Sequence, residues 1–317
     1  MLTTLLIVAL LIVLAYVLYS LMARGLRSTR LAGKLPAAFF GGLLGTAFAA
    51  VAVIALTGIW RAQAPRVRPV PDVQIAATAE QVARGERLAW LCVDCHSPSG
   101  ALPLNGGTQN LLPANLPLGE LYAPNLTPAG TIAKWKDGEV IRAIREGLDN
   151  RGVPLASMPS QAFRNMSDED VQALVAYLRS QSPLRHDQRP NQVTILSALV
   201  VGAGVAPTSE QPPITGPVTA PPPGVTGEYG RYLVAISGCA DCHGAALDGV
   251  PPNQFVPAGP SLRGLGPRYN QDQFLTLFRS GQAVGGRQLS PAMPWVSIGR
   301  AMTDDELKAM YVYLAGL

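Results

Sequence analysis

Four cysteines and three histidines are all that the 317 residues offer of the side chains that most readily hold metals or form cross-links. All four cysteines fall within two short motifs, which leaves none for a structural disulfide, so an oxidising location has to be argued from the motifs themselves. Charge is sparse: 15% of residues are charged and 48% hydrophobic, a balance that fits two domains with apolar segments besides. Acid is missing altogether from residues 1–60, which carry Arg24, Arg27, Arg30 and Lys34, while the remainder holds 21 basic and 21 acidic residues. The net charge of +4 is therefore a topology signal and not a basic docking patch. No nucleic-acid partner is expected.

What is present is one five-residue pattern, twice: Cys92-Val93-Asp94-Cys95-His96 and Cys239-Ala240-Asp241-Cys242-His243. On a helix, Cys at i and i+3 project from one face a turn apart, so two thiols reach two neighbouring vinyl groups of one porphyrin. The following His is then carried to the iron as proximal ligand, which is the pattern of c-type haem attachment. A pair of zinc sites would need further Cys or His ligands, and only His186 is left over. A thioredoxin-like pair would sit in a βαβ setting, and no strand pattern surrounds either motif.

From its start the chain reads as a transmembrane hairpin (1–62), a Pro-rich tether (63–77), a first domain (78–183), a linker (184–225) and a second domain (226–317). Leu2–Met22 is an uncharged run of 21 residues, which at about 1.5 Å per residue crosses a hydrocarbon core of about 30 Å. A cleaved signal peptide would show a basic region before the run and small residues after it; neither is seen. Ala37–Trp60 is a second uncharged run, in which Gly41 and Gly45 form a small-xxx-small pair suited to close helix packing, most simply against the first run. The cations between the runs place that loop in the cytoplasm and the rest of the chain outside.

In the first domain, helical spacing through Ala79, Val82 and Leu88 leads into the first motif. Ser97–Gly130, rich in Pro, Gly and Asn, predicts irregular structure. Helical spacing resumes at Asp137–Gly147, and a final helix is announced by Ser167 with Asp170 three residues on. Met158-Pro159 lies between them on a loop, where a thioether can reach an iron from the side opposite His96. Met166, just before the cap residue Ser167, reads as a packing residue. The second domain repeats the order: Gly230 and Leu233 before Cys239, Arg279-Ser280-Gly281 for Arg145-Glu146-Gly147, Met293-Pro294 for Met158-Pro159, and Thr303 capping a last helix. The halves form a tandem repeat.

Both halves resemble class I cytochrome c domains, which implies an all-α architecture of two tandem such domains after a two-helix transmembrane hairpin. In the first half, Leu121-Tyr-Ala-Pro-Asn-Leu-Thr-Pro128, Trp135-Lys-Asp-Gly-Glu139, Arg142-Ala-Ile-Arg-Glu-Gly147, Met158-Pro159 and Ser167-Asp-Glu-Asp-Val171 resemble the cytochrome c subunits of membrane-bound alcohol and aldehyde dehydrogenases. Those subunits usually carry three haems and a C-terminal anchor; this chain shows two motifs and an N-terminal hairpin. The resemblance implies two covalently bound haem c groups, attached through Cys92, Cys95, Cys239 and Cys242 and ligated by His96 with Met158 and by His243 with Met293. It also implies assembly on the periplasmic side of the inner membrane, and a proline carbonyl orienting each proximal His, for which Pro103 is the candidate at His96 and Pro257 or Pro260 at His243. A helix-crossing contact of Gly85 with Tyr177 and of Gly230 with Tyr313 is implied as well.

The expected function is single-electron relay between redox protein partners within a respiratory or photosynthetic membrane complex, with no catalytic residues of its own. The alternatives are a dihaem peroxidase-like enzyme, which needs an open iron, the cytochrome subunit of a periplasmic dehydrogenase, and a subunit whose haems are incidental. In the linker, Val193–Ala206 is apolar but too short to span; it reads first as a buried segment, with rest against a partner or the bilayer surface as the alternative, and His186 reads as exposed.

Overall fold

A computed structural model of the chain describes residues 2–251 and 259–317. Its regular structure is nearly all helical, and the only strands among the described residues are the two-residue β1 (Gly119–Glu120) and β2 (Gln192–Val193), paired antiparallel. The chain divides into two compact units. The first gathers the residues up to Pro65 with Ala114–Leu121 and Pro190–Thr208; the second takes everything else.

In the first unit, α1 (Leu2–Leu26) packs against α3 (Gly42–Gln63). Both are long and apolar enough to cross a membrane. The expected loop between them is short, because α2 (Leu31–Pro36) and a π-helical turn, Ala37–Gly41, run straight into α3. Gly41 lies against Leu18 and Met22 and Gly45 against the Tyr19 ring, so the small-residue pair serves the hairpin itself. The linker also folds here. Its apolar stretch forms α9 (Ile195–Gly202), none of whose residues is buried, contrary to the expectation of a buried segment. It rests on α3 instead, where Gly58 meets the Ala198 carbonyl and Gly202 meets that of Ile54.

The second unit contains both halves of the repeat around one hydrophobic cluster that runs from Leu88 to Leu314. In the first half, α4 (Ala79–Ala89) starts at a capping box of Thr78 and Gln81, and the motif helix α5 (Val93–His96) follows. Then come α6 (Asp137–Glu146), the one-turn α7 (Ser160–Phe163) and α8 (Asp168–Ser180), the last capped by the Ser167 hydroxyl. The second half repeats this as α10 (Gly227–Ile236), α11 (Cys239–His243), α12 (Gln271–Ser280), α13 (Trp295–Ala301) and α14 (Asp304–Ala315). The irregular character expected of residues 97–130 holds, apart from β1.

The first and last helices of each half cross at a glycine. A Cβ on Gly85 would stand 1.9 Å from the Ala173 carbonyl oxygen, and one on Gly230 would stand 1.9 Å from that of Ala309. Only glycine lets the backbones approach so closely. The expected aromatic is a secondary neighbour: Tyr177 Cβ lies beyond Ala173, and in the second half the nearest atoms are all backbone of Ala309 and Met310.

The halves join crosswise. Arg84, one residue before Gly85, pairs with Asp170 of its own half at 2.8 Å and with Glu306 of the other half at 2.5 Å. Tyr229, one residue before Gly230, donates to Glu306 of its own half at 3.3 Å, and Tyr232 donates to Asp170 of the other half at 2.6 Å. Asp170 and Glu306 are each the third residue of the closing helix, so the two halves bring equivalent carboxylates to this seam.

Candidate haem sites

Each motif is presented by a short helix that follows the first helix of its half. α10 stops at Ile236, and Gly238, at a left-handed φ of 69°, turns the chain into α11. The four thiols are unpaired. Burial pushes the Cys92 and Cys239 thiols up to about 12 and raises those of Cys95 and Cys242. A redox-active pair needs the reverse, a thiol lowered by a positive neighbour. No group of three or more Cys, His, Asp or Glu able to hold a metal occurs among the described residues.

Both motif histidines are buried and oriented. His96 Nδ1 donates to the Pro124 carbonyl at 2.8 Å, and His243 Nδ1 donates to the Pro260 carbonyl at 2.7 Å. A carbonyl only accepts, so the proton sits on Nδ1 and the Nε2 lone pair is left for a metal. Burial also lowers the His96 pKa, which keeps that imidazole neutral. The orienting residue of the first site is therefore Pro124 and not Pro103: Gly106 N–H donates to the His96 carbonyl at 2.9 Å, turning the chain past Pro103 before it returns at Pro124. At the second site it is Pro260; Pro257 lies outside the described residues.

A glycine seals each second cysteine. A Cβ on Gly107 would lie 2.0 Å from the Cys95 carbonyl oxygen, and one on Gly259 would lie 1.9 Å from that of Cys242. The spacing from His to this glycine differs between the halves, which hides the equivalence from a sequence reading.

The two Met-Pro turns share one backbone. Pro159 has φ −78° and ψ 51°, Pro294 φ −79° and ψ 51°, and each opens a short helix. Met158 and Met293 are half-buried at the edge of the core. Met166, Met302 and Met310 are fully buried, which is the environment of packing residues. Arg145 holds the turn after Met158 by binding Asp168 at 2.6 Å and the Met166 carbonyl; Arg279 repeats this with Asp304 at 2.7 Å and the Met302 carbonyl at 3.0 Å. His186 is half-buried beside Gly106 and not exposed as expected.

The two sites are also tied to each other. Ser297 Oγ, in the helix after Met293, donates at 2.6 Å to Asp94, inside the first motif, and Arg300 of the same helix stacks over Trp90 at 5.7 Å. Neither contact has a signature in the sequence.

The residues present fit haem c: paired unmodified thiols, an imidazole with a free Nε2, and a half-exposed thioether, all in duplicate. The family described as Cytochrome c matches residues 82–182 and 228–317. The chain is 29% identical over 312 residues to a nicotinate dehydrogenase subunit of Pseudomonas putida, covering 88% of this chain and 25% of that protein. It is 29% identical over 322 residues to the cytochrome c subunit of the quinone alcohol dehydrogenase of Gluconacetobacter polyoxogenes, covering 85% and 61%. It is 26% identical over 306 residues to the fructose dehydrogenase cytochrome subunit of Gluconobacter japonicus, covering 87% and 59%. The chain thus spans between a quarter and three fifths of the length of these relatives. A match that takes in both halves, each with its own attachment motif and oriented histidine, makes the chain a member of the cytochrome c family, whose members carry covalently bound haem c.

Proposed function

We propose that the chain is a membrane-anchored dihaem cytochrome c that relays single electrons as the cytochrome subunit of a dehydrogenase on the periplasmic face of the inner membrane. One observation carries the reading: the attachment motif, the Nδ1-bound histidine and the Met-Pro turn all occur twice, in the same order and with the same local backbone. Haem would supply the one-electron chemistry. The chain's own residues attach it (Cys92, Cys95, Cys239, Cys242), ligate it (His96 with Met158, His243 with Met293) and, through Pro124 and Pro260, hold each imidazole in one tautomer. A thioether ligand would favour the reduced iron, and with His and Met both holding it no position would be left for peroxide, which argues against a peroxidase.

Of the two settings read from the sequence, a dehydrogenase is favoured over a respiratory or photosynthetic complex because the relatives are named as subunits of nicotinate, alcohol and fructose dehydrogenases. The pairing of the two halves through Arg84, Asp170, Glu306, Tyr229 and Tyr232 supports a fixed spacing between the haems, as a relay needs. The two apolar helices support the anchor.

The test is expression in a host that matures c-type cytochromes, followed by mass measurement of the denatured chain and identification of proteins that co-purify in mild detergent. The expected outcome is a mass increased by two haem groups and a dehydrogenase catalytic subunit in the complex. A chain carrying no covalent haem would end the proposal.

A further inference from the structure

The geometry points to a third membrane-embedded element: α9 inserts as a short helix among the lipid acyl chains of the extracytoplasmic leaflet, packed against α3. This rests on the proposed anchoring by α1 and α3.

The first observation is where α9 lies. Its closest approaches are to Ile54 and Gly58 of α3, where a Cβ on Gly58 would stand 1.8 Å from the Ala198 carbonyl oxygen and one on Gly202 would stand 1.9 Å from that of Ile54. Both α3 residues precede Trp60, the aromatic at the end of the apolar run, where interfacial rings settle. A helix fastened below that ring shares the apolar depth of α3. Contact through small residues, backbone against backbone, is how helices associate where no hydrophobic force drives them together.

The second observation is the chemistry of α9. Ile195–Gly202 carries no charge, none of its residues is buried by protein, and α3, on which it rests, also exposes Val51, Val53, Ile54 and Leu56. In water such a surface would be an exposed apolar patch of the kind that marks a binding surface.

The third is that the one polar side chain of α9 and the carbonyls at its C-terminal end find partners within the protein, as hydrocarbon requires. Its one polar side chain, Ser197, donates to the Leu118 carbonyl. The preceding Thr194 donates its hydroxyl to the Pro117 carbonyl at 2.7 Å and its N–H to that of Leu118 at 3.1 Å. At the other end, where four carbonyls of any helix lose their partners, Arg61 donates to those of Val201 and Gly202 at 3.1 Å and 3.2 Å. The long Arg61 stem lets its charged head meet these carbonyls at the interface.

The experiment places the full chain, with its haems, in lipid nanodiscs of phosphatidylcholine bearing a diazirine on one acyl chain, and maps the photo-adducts by peptide mass. Adducts on Ile195–Gly202 together with α1 and α3 are expected. Adducts on α1 and α3 with none on Ile195–Gly202 would overturn the inference, leaving α9 facing water or another protein. Adducts on none of the three would overturn the anchor itself, and the inference with it. In Gly58→Leu, which forces the helices apart, adducts on Ile195–Gly202 should fall severalfold while those on α1 persist; unchanged adducts there would overturn the packing on which the inference stands.

Discussion

Arg84 stands between two carboxylates from different halves of the repeat, with 18% of its side chain exposed against 10% for Asp170 and 9% for Glu306. Removing one partner of such a buried cluster leaves uncompensated charge behind, so Arg84→Ala is expected to destabilise the fold by about 3–5 kcal/mol. Urea unfolding followed by circular dichroism would measure it. The same cluster makes stability sensitive to alkali. Burial pushes the Tyr229 hydroxyl up to about 12 and raises that of Tyr232, which also bonds Asp170. A phenol whose pKa is raised on folding keeps its proton where the unfolded chain has lost it. Stability should therefore be flat below about pH 10, the ordinary tyrosine value, and fall between there and about 12. A urea midpoint that stays constant through that window would contradict the assignment. At this scale the sequence disclosed the cysteines, histidines and the two Met-Pro turns, because each is a local pattern. It did not disclose Pro124, Asp94 with Ser297, or the Arg84 cluster, because these are meetings between residues 28 to 222 positions apart. With two haems held through Met158 and Met293 as proposed, Met158→Ala and Met293→Ala should each remove about half of the sulfur-to-iron absorption of the oxidised protein and lower the potential of one haem, as loss of a soft ligand does. Full absorption in either variant would point to another ligand.

Among the elements, those announced by helical spacing or a cap were legible: α4 and α6 lie where spacing places them, and α8 and α14 where Ser167 and Thr303 cap them. The elements that escaped are short or carry no polar period. α7 is a single turn set by the preceding proline, and α9 is apolar on every face, so its burial was misjudged: apolar character says that a segment avoids water without saying whether protein or lipid replaces it. The glycine crossings were legible as positions but not as contacts. Gly85→Ala or Gly230→Ala would drive a methyl into a main-chain carbonyl that cannot rotate away, and a loss of roughly 1–3 kcal/mol is expected in either, read from the thermal midpoint. Equal losses at the two sites would reflect the equivalence of the crossings.

For the whole molecule, the tandem repeat was visible as matched offsets, yet its assembly was not. A linker of some forty residues suggests two separate bodies, whereas the halves share one core and one polar seam. The linker instead contributes α9 and β2 to the unit that holds the apolar hairpin. That detour has a practical consequence for anyone seeking a water-soluble version. Deleting the chain up to Pro65 would strip α9 of the helix it leans on and leave eight uncharged residues bare, so the shortened protein should still aggregate unless detergent is present. Excising 190–208 in the same step should yield a detergent-free monomer by size-exclusion chromatography, because the exposed apolar surface of this unit comes from two separated places in the sequence.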